Sequence, residues 1–261
     1  MAVVYAPVAA ELVRDWNRDA NYSHGFLVPF ISVYLIWQRR AELAHTPLRP
    51  AASGIALLLV AGGLLVLGVA GAEVFTQRVS LVAALAGAVW FLAGGVWLRK
   101  LAFPILFLSV AVPLPYVIYY DLTGPLQAMA AKGAIQGLRL VGIPAVAEGN
   151  IIHLPEASLE VAEACSGIRS LYAFLALGAL LARTLPLPAW GRVLVFLLTI
   201  PLSVVGNAIR VWGSGVAAYL FGARYAEGLA HELFGLVVFA VALVLLGLIG
   251  RGVSRLWPSA R

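Results

Sequence analysis

The sequence predicts an all-α protein: a polytopic integral membrane bundle of about seven to eight spans, with a small extracytoplasmic helix-and-hairpin insertion near residues 121–164. Three observations carry this. Of 261 residues, 62% are hydrophobic and only 11% are charged. The mean hydropathy is +0.95, and a soluble domain of this length needs far more polar surface. Apolar runs near span length recur along the chain and stop at basic residues. Helices are the expected form of each run, because they satisfy their own backbone hydrogen bonds where lipid cannot. The whole chain, 1–261, reads as a single transmembrane domain.

Taken in order, Pro7 to Trp16 predicts a short interfacial helix with Glu11, Arg14, Asp15, Arg18 and Asp19 facing water. Spans follow at about 25–38, ending at Arg39-Arg40, at about 54–71, and at about 79–98, ending at Arg99-Lys100. A fourth, at about 101–120, carries Pro104, Pro113 and Pro115 and should kink there. The next 45 residues are too polar to span. Within them Leu126 to Leu140 has a helical period, and 149–155 and 158–161 alternate like the strands of a hairpin. Spans resume at about 166–185, 191–205 and 232–249. The stretch 207–221 either continues the sixth span or lies at the interface.

Charge sets the orientation. Arg39, Arg40, Arg49, Arg99, Lys100, Arg183, Arg192, Arg251, Arg255 and Arg261 map to one side, opposed there only by Glu42. The positive-inside rule makes that side cytoplasmic. The N-terminus is then outside, after about seven crossings, and no basic n-region marks a cleavable signal peptide. The net charge of +6 is accounted for by these loops and does not imply nucleic acid as a partner; the partner it implies is the lipid bilayer.

With the topology set by charge alone, several polar residues land at one depth near the outer face. The first is Cys165, the only cysteine, which therefore has no internal disulfide partner in an oxidising compartment. It sits in Val161-Ala-Glu-Ala-Cys165-Ser-Gly-Ile-Arg169-Ser-Leu171, just before a span. A helix N-terminus and a guanidinium one turn on, Arg169, both favour a thiolate. The bland alternative is a small inert hydrophobe. Arg210 and Asn207 are three residues apart and share a helix face. An arginine in an apolar segment needs a partner or a task, or else snorkels to headgroups. His231, at the start of the last span, and His24, in Asn21-Tyr-Ser-His24-Gly25, titrate near neutral pH and can move a proton. The four histidines, 24, 45, 153 and 231, lack metal-ligand spacing, so no metal site is predicted. No phosphate loop or serine-hydrolase elbow is present, and no cofactor is implied.

These residues resemble the exosortase family, bacterial membrane transpeptidases related to archaeosortases. The resemblance is carried by Tyr22-Ser-His24-Gly-Phe-Leu-Val-Pro29 running on to Leu35-Ile-Trp37-Gln-Arg-Arg40, by 149–155 leading into the cysteine stretch, by Asn207-Ala-Ile-Arg210 and by His231-Glu-Leu-Phe-Gly235. It spans about residues 15 to 240. It implies a catalytic trio of Cys165, Arg210 and His231, with Asn207, His24 and Arg169 in support. It further implies a multi-pass protein of the bacterial inner membrane whose site faces the periplasm. The implied partners are secreted proteins carrying a C-terminal Pro-Glu-Pro motif, one transmembrane helix and a basic cluster. The enzyme would cleave at the motif and pass the new carboxyl end to an acceptor that the sequence does not identify. The chain departs from the family at its start: most relatives have an eighth span before the Tyr-Ser-His-Gly stretch. A rival reading, a non-enzymatic exporter or scaffold for envelope polysaccharide assembly, explains the helices equally well. It leaves a cysteine, an arginine and a histidine at one depth without a purpose.

Overall fold

A computed structural model describes residues 1–149, 151–155, 158–160, 168–222, 224 and 228–257. They form ten α-helices and a three-stranded antiparallel meander, in two compact units, 1–116 and 117–261. Among the described residues three helices, Val74–Ala93, Ala189–Phe221 and His231–Leu256, are long and apolar enough to cross a membrane; the broken pair Gly95–Ala111 with Tyr116–Leu140 makes a fourth if counted as one span. The apolar helix Gly54–Ala70 is shorter.

The first unit opens with α1 (Ala2–Arg18). Tyr5, Val8, Leu12 and Trp16 are buried at helical spacing and form its inner stripe. Asp15 does not simply face water as the charge pattern suggests. Its carboxylate pairs with Arg78, which is only 5% exposed. Burying a guanidinium in an apolar bundle is costly without such a counter-charge. Asp19 caps the following turn by accepting from the Asn21 N–H. α2 (Leu27–Gln38) and the short α3 (Arg40–Ala44) follow.

α4 (Gly54–Ala70) and α5 (Val74–Ala93) form a tight antiparallel hairpin. Gly54, Ala61 and Gly68 are buried along one edge of α4. These small side chains let the two backbones approach closely; a Cβ on Gly54 would collide with the Phe91 backbone and one on Gly87 with Leu58. Glu73 caps α5, accepting from the Phe75 and Thr76 N–H groups at 3.0 and 2.6 Å. The Thr76 side chain first, then these N–H groups and Arg78, hold its carboxyl below the usual carboxylate range.

The span expected at 79–98 ends earlier. Gly94 has φ +92° and faces the Arg49 carbonyl so closely that no Cβ fits. The Arg49 and Ala51 N–H groups bond to Ala93 and Phe91 carbonyls and fix that corner. Arg99 and Lys100 therefore lie inside α6 (Gly95–Phe107) rather than beyond a span. The fourth expected span is broken, not kinked: α6 gives way to a 3₁₀ turn, Leu108–Ala111, and α7 (Tyr116–Leu140) starts only after Pro113 and Pro115. Lys100 pairs with Glu42 at 3.0 Å and bonds Thr46, while Arg39 donates to the Lys100 carbonyl. Arg39 and Lys100 thus gather around Glu42.

In the second unit α7 packs an alanine-rich face, Ala130, Ala131, Ala134 and Leu138, with Ile143 before the strands, Ile152 of the meander, Leu154 just after it, and Val211 and Ala218 of α9. The strands are β1 (Val146–Glu148), β2 (Ile151–His153) and β3 (Ser158–Glu160). Thus the hairpin expected in the insertion is completed by a third strand. α8 (Ile168–Thr184), α9 (Ala189–Phe221) and α10 (Gly228–Leu256) pack side by side. α9 resolves the ambiguity at 207–221: the helix continues through it for 33 residues. At 1.5 Å per residue it is about 50 Å long, well over the ~30 Å of a bilayer core. Ala182, Leu187, Val195, Leu246 and Val253 close one end of this trio. Arg183, Arg192, Arg251 and Arg255 lie in the helix termini there, and Trp190 and Trp257 meet edge-to-face at 5.3 Å. Basic residues and tryptophans at one end are the pattern of a membrane interface.

Candidate active site

Away from that basic end, α9 carries a polar stripe. On α9, Ser203, Asn207, Arg210 and Ser214 are spaced four, three and four residues apart and so form one stripe. Ser203 and Asn207 are 2% and 5% exposed, so the stripe faces the neighbouring helices. The Ser203 hydroxyl lies 3.4 Å from that of Ser170, in the first turn of α8. A small cavity of about 30 Å³ opens among them, lined by Ser170, Phe174, Ser203, Asn207, Arg210 and Gly235. Phe174 meets Phe239 at 4.6 Å with the rings tilted by 49°, and the pair makes its apolar wall.

Arg210 and His231 both lie at the α9–α10 seam. The Arg210 guanidinium lies over Gly235, one turn beyond His231 on α10. Ser214, one turn beyond Arg210 on α9, places its hydroxyl 2.6 Å from His231 Nδ1 and donates to the Arg210 carbonyl at 3.1 Å. The two antiparallel helices thus interlock through two pairs, Arg210 with Gly235 and Ser214 with His231. Arg210 Nε is buried and has no hydrogen-bond partner among the described residues. A buried guanidinium donor in that state is costly.

Of the residues singled out from sequence, the structure brings Asn207, Arg210 and His231 together in this half of the bundle. Arg169 is exposed in the first turn of α8, one residue before Ser170. His24 belongs to the other unit, where its Nε2 lies 3.3 Å from the Val110 carbonyl beside Trp16, whose indole donates to Ala111. Cys165 lies outside the described residues. Sequence reasoning missed Ser170, Ser203 and Ser214 and gave Gly235 no role. The serine signal was present as the 203–207–210–214 spacing, but a serine within a helix carries no charge to draw notice.

A model of the transmembrane exosortase family matches residues 16–248. The chain belongs to the exosortase family. No curated protein and no solved structure matches it. The exosortase match runs through both compact units and includes every candidate residue named above.

The exosortase geometry makes Gly235 a seat for Arg210. A Cβ there would stand 2.6 Å from Arg210 Nε, 2.9 Å from Cζ and 3.0 Å from Cδ. These atoms belong to the mobile end of a long side chain, so the guanidinium moves and the helices need not. Gly235→Ala should leave the melting temperature unchanged or raised, since alanine gains about 1 kcal/mol over glycine inside a helix. It should lower substrate processing at least tenfold. Normal processing by a stable Gly235→Ala protein would remove Arg210 from the site.

Proposed function

We propose that this exosortase is a membrane cysteine peptidase and transpeptidase that cleaves C-terminal sorting signals of secreted proteins at the outer leaflet. Its substrates carry a Pro-Glu-Pro motif, a transmembrane helix and a basic cluster, and the new carboxyl end passes to an acceptor nucleophile. The observation that supports this most is the buried Arg210 Nε without a described partner, in a cavity shared with Asn207 and joined through Ser214 to His231. Cys165 precedes the cavity residue Ser170 by five positions and the first residue of α8 by three.

In this reading the Cys165 thiolate attacks the scissile carbonyl carbon and a carbon–sulfur bond forms. Arg210 and the Asn207 amide donate to the oxyanion that develops. The carbon–nitrogen bond then breaks, and the departing amine takes its proton from the His231 imidazolium. A thioester remains. The acceptor gives its proton to the now neutral His231 and attacks the thioester carbonyl, which releases the product and restores the thiolate. No metal or redox step is needed to balance these changes.

The single cysteine permits an unambiguous test. A membrane-impermeant thiol reagent added to intact spheroplasts at near-neutral pH should label the wild-type chain, and Cys165→Ala should stay unlabelled. Labelling that appears only after the membrane is permeabilised would put the thiol on the cytoplasmic side, away from secreted substrates, and the proposal would fall.

A further inference from the structure

We infer that Ser214 is the positioning residue that holds His231 in its Nδ1–H form and so makes Nε2 the nitrogen that takes and gives the catalytic proton. The argument is a count of protons. A serine hydroxyl has one hydrogen to donate. The Ser214 hydroxyl sits one helical turn beyond Arg210 and donates that hydrogen to the Arg210 carbonyl at 3.1 Å, the usual back-bond of a serine within a helix. His231 Nδ1 lies 2.6 Å from the same oxygen. Both contacts are hydrogen bonds at once only if the hydroxyl hydrogen goes to the carbonyl and Nδ1 carries a proton that Ser214 accepts. The neutral ring then bears its lone pair at Nε2.

The same acceptor serves both charge states. In the imidazolium both nitrogens are donors, so Nδ1–H keeps its bond to Ser214 while Nε2 gains and loses its proton. The ring stays in place through the cycle, as the histidine of a nucleophile–base pair requires of the third group that orients it. The Arg210 carbonyl closes the chain. Arg210, through its carbonyl and Ser214, thereby sets the ring of the residue that works beside its guanidinium. The role in catalysis rests on the proposed function; the tautomer assignment does not, and the experiment separates them.

The test uses the full chain in lipid nanodiscs, with histidine labelled with nitrogen-15. Nitrogen shifts are read at pH about 9, where an ordinary histidine of pKa about 6.5 is neutral. The His231→Gln spectrum assigns the signals. Wild type should show a protonated Nδ1 and a bare Nε2 at His231. Ser214→Thr, which keeps the hydroxyl, should match it. Ser214→Ala should shift the ring toward the Nε2–H form and lower the turnover of a tailed substrate at least tenfold, with threonine restoring it. A wild-type His231 protonated at Nε2, or a His231 spectrum unchanged in Ser214→Ala, would overturn the inference. Should the tautomer follow the hydroxyl while Cys165→Ala still processes substrate, Ser214 keeps its role on the ring and the cysteine mechanism fails.

Discussion

Cys165→Ala abolishes processing of a tailed substrate while the protein still inserts and folds: this is the largest effect expected of any single change. The volume removed is one sulfur atom, and the stability cost is correspondingly small. The chemical cost is total, because no other thiol exists in the chain. Removing the nucleophile of a covalent mechanism costs on the order of 10⁴-fold or more. Cys165→Ser should fail nearly as completely. A thiol ionises near pH 8.5, whereas a hydroxyl stays protonated. Processing is read as conversion of the tailed precursor to its shortened form in cells that produce each variant at equal level.

Arg210→Lys should lose roughly 10²-fold, the effect of removing one oxyanion donor. Lysine keeps the charge but places it on a compact ammonium beyond a flexible stem. It has no Nε at the position packed over Gly235, and no planar fork with which to hold an oxyanion by two N–H groups. Charge alone would be preserved by the exchange, so a near-normal rate in Arg210→Lys would reassign Arg210 to snorkelling. Paired with Gly235→Ala, the experiment distinguishes position from charge. The glycine variant keeps arginine and moves it; the lysine variant keeps the charge and removes the fork. Both should fail if geometry is what matters.

The parts of the fold legible in the sequence are those written in local pattern. The end of α8 follows from the switch from apolar to polar residues, and the structure places it at Thr184. Asn207 and Arg210 share a face because any helix puts them there, and α9 is helical through both. Residues 149–155 and 158–161 read as extended because they alternate, and β2 and β3 lie there, whereas β1 was not foreseen. The parts that were not legible depend on residues far apart in the chain. Arg99-Lys100 looks like the end of a span. The corner actually falls at Gly94, where the backbone of Arg49 and Ala51 pairs with α5 across forty or more residues. Asp15 looks solvated until Arg78 is seen to pack beside it. Ser214 is one more small polar residue until α10 brings His231 to its hydroxyl. Gly235 stands in a quoted motif, but its meaning depends on which side chain of α9 lies over it.

The most direct test of the central claim, that Cys165 carries the acyl group in a transpeptidation, is to trap the intermediate. Purified protein is incubated with a tailed substrate in nanodiscs without an acceptor, quenched in acid and digested, and the Cys165 peptide is weighed by mass spectrometry. The mechanism predicts one substrate-derived acyl group on Cys165, released by hydroxylamine as the hydroxamate of the substrate's new carboxyl end. Cleaved substrate with no acyl group on Cys165, formed at an undiminished rate by Cys165→Ser, would contradict it.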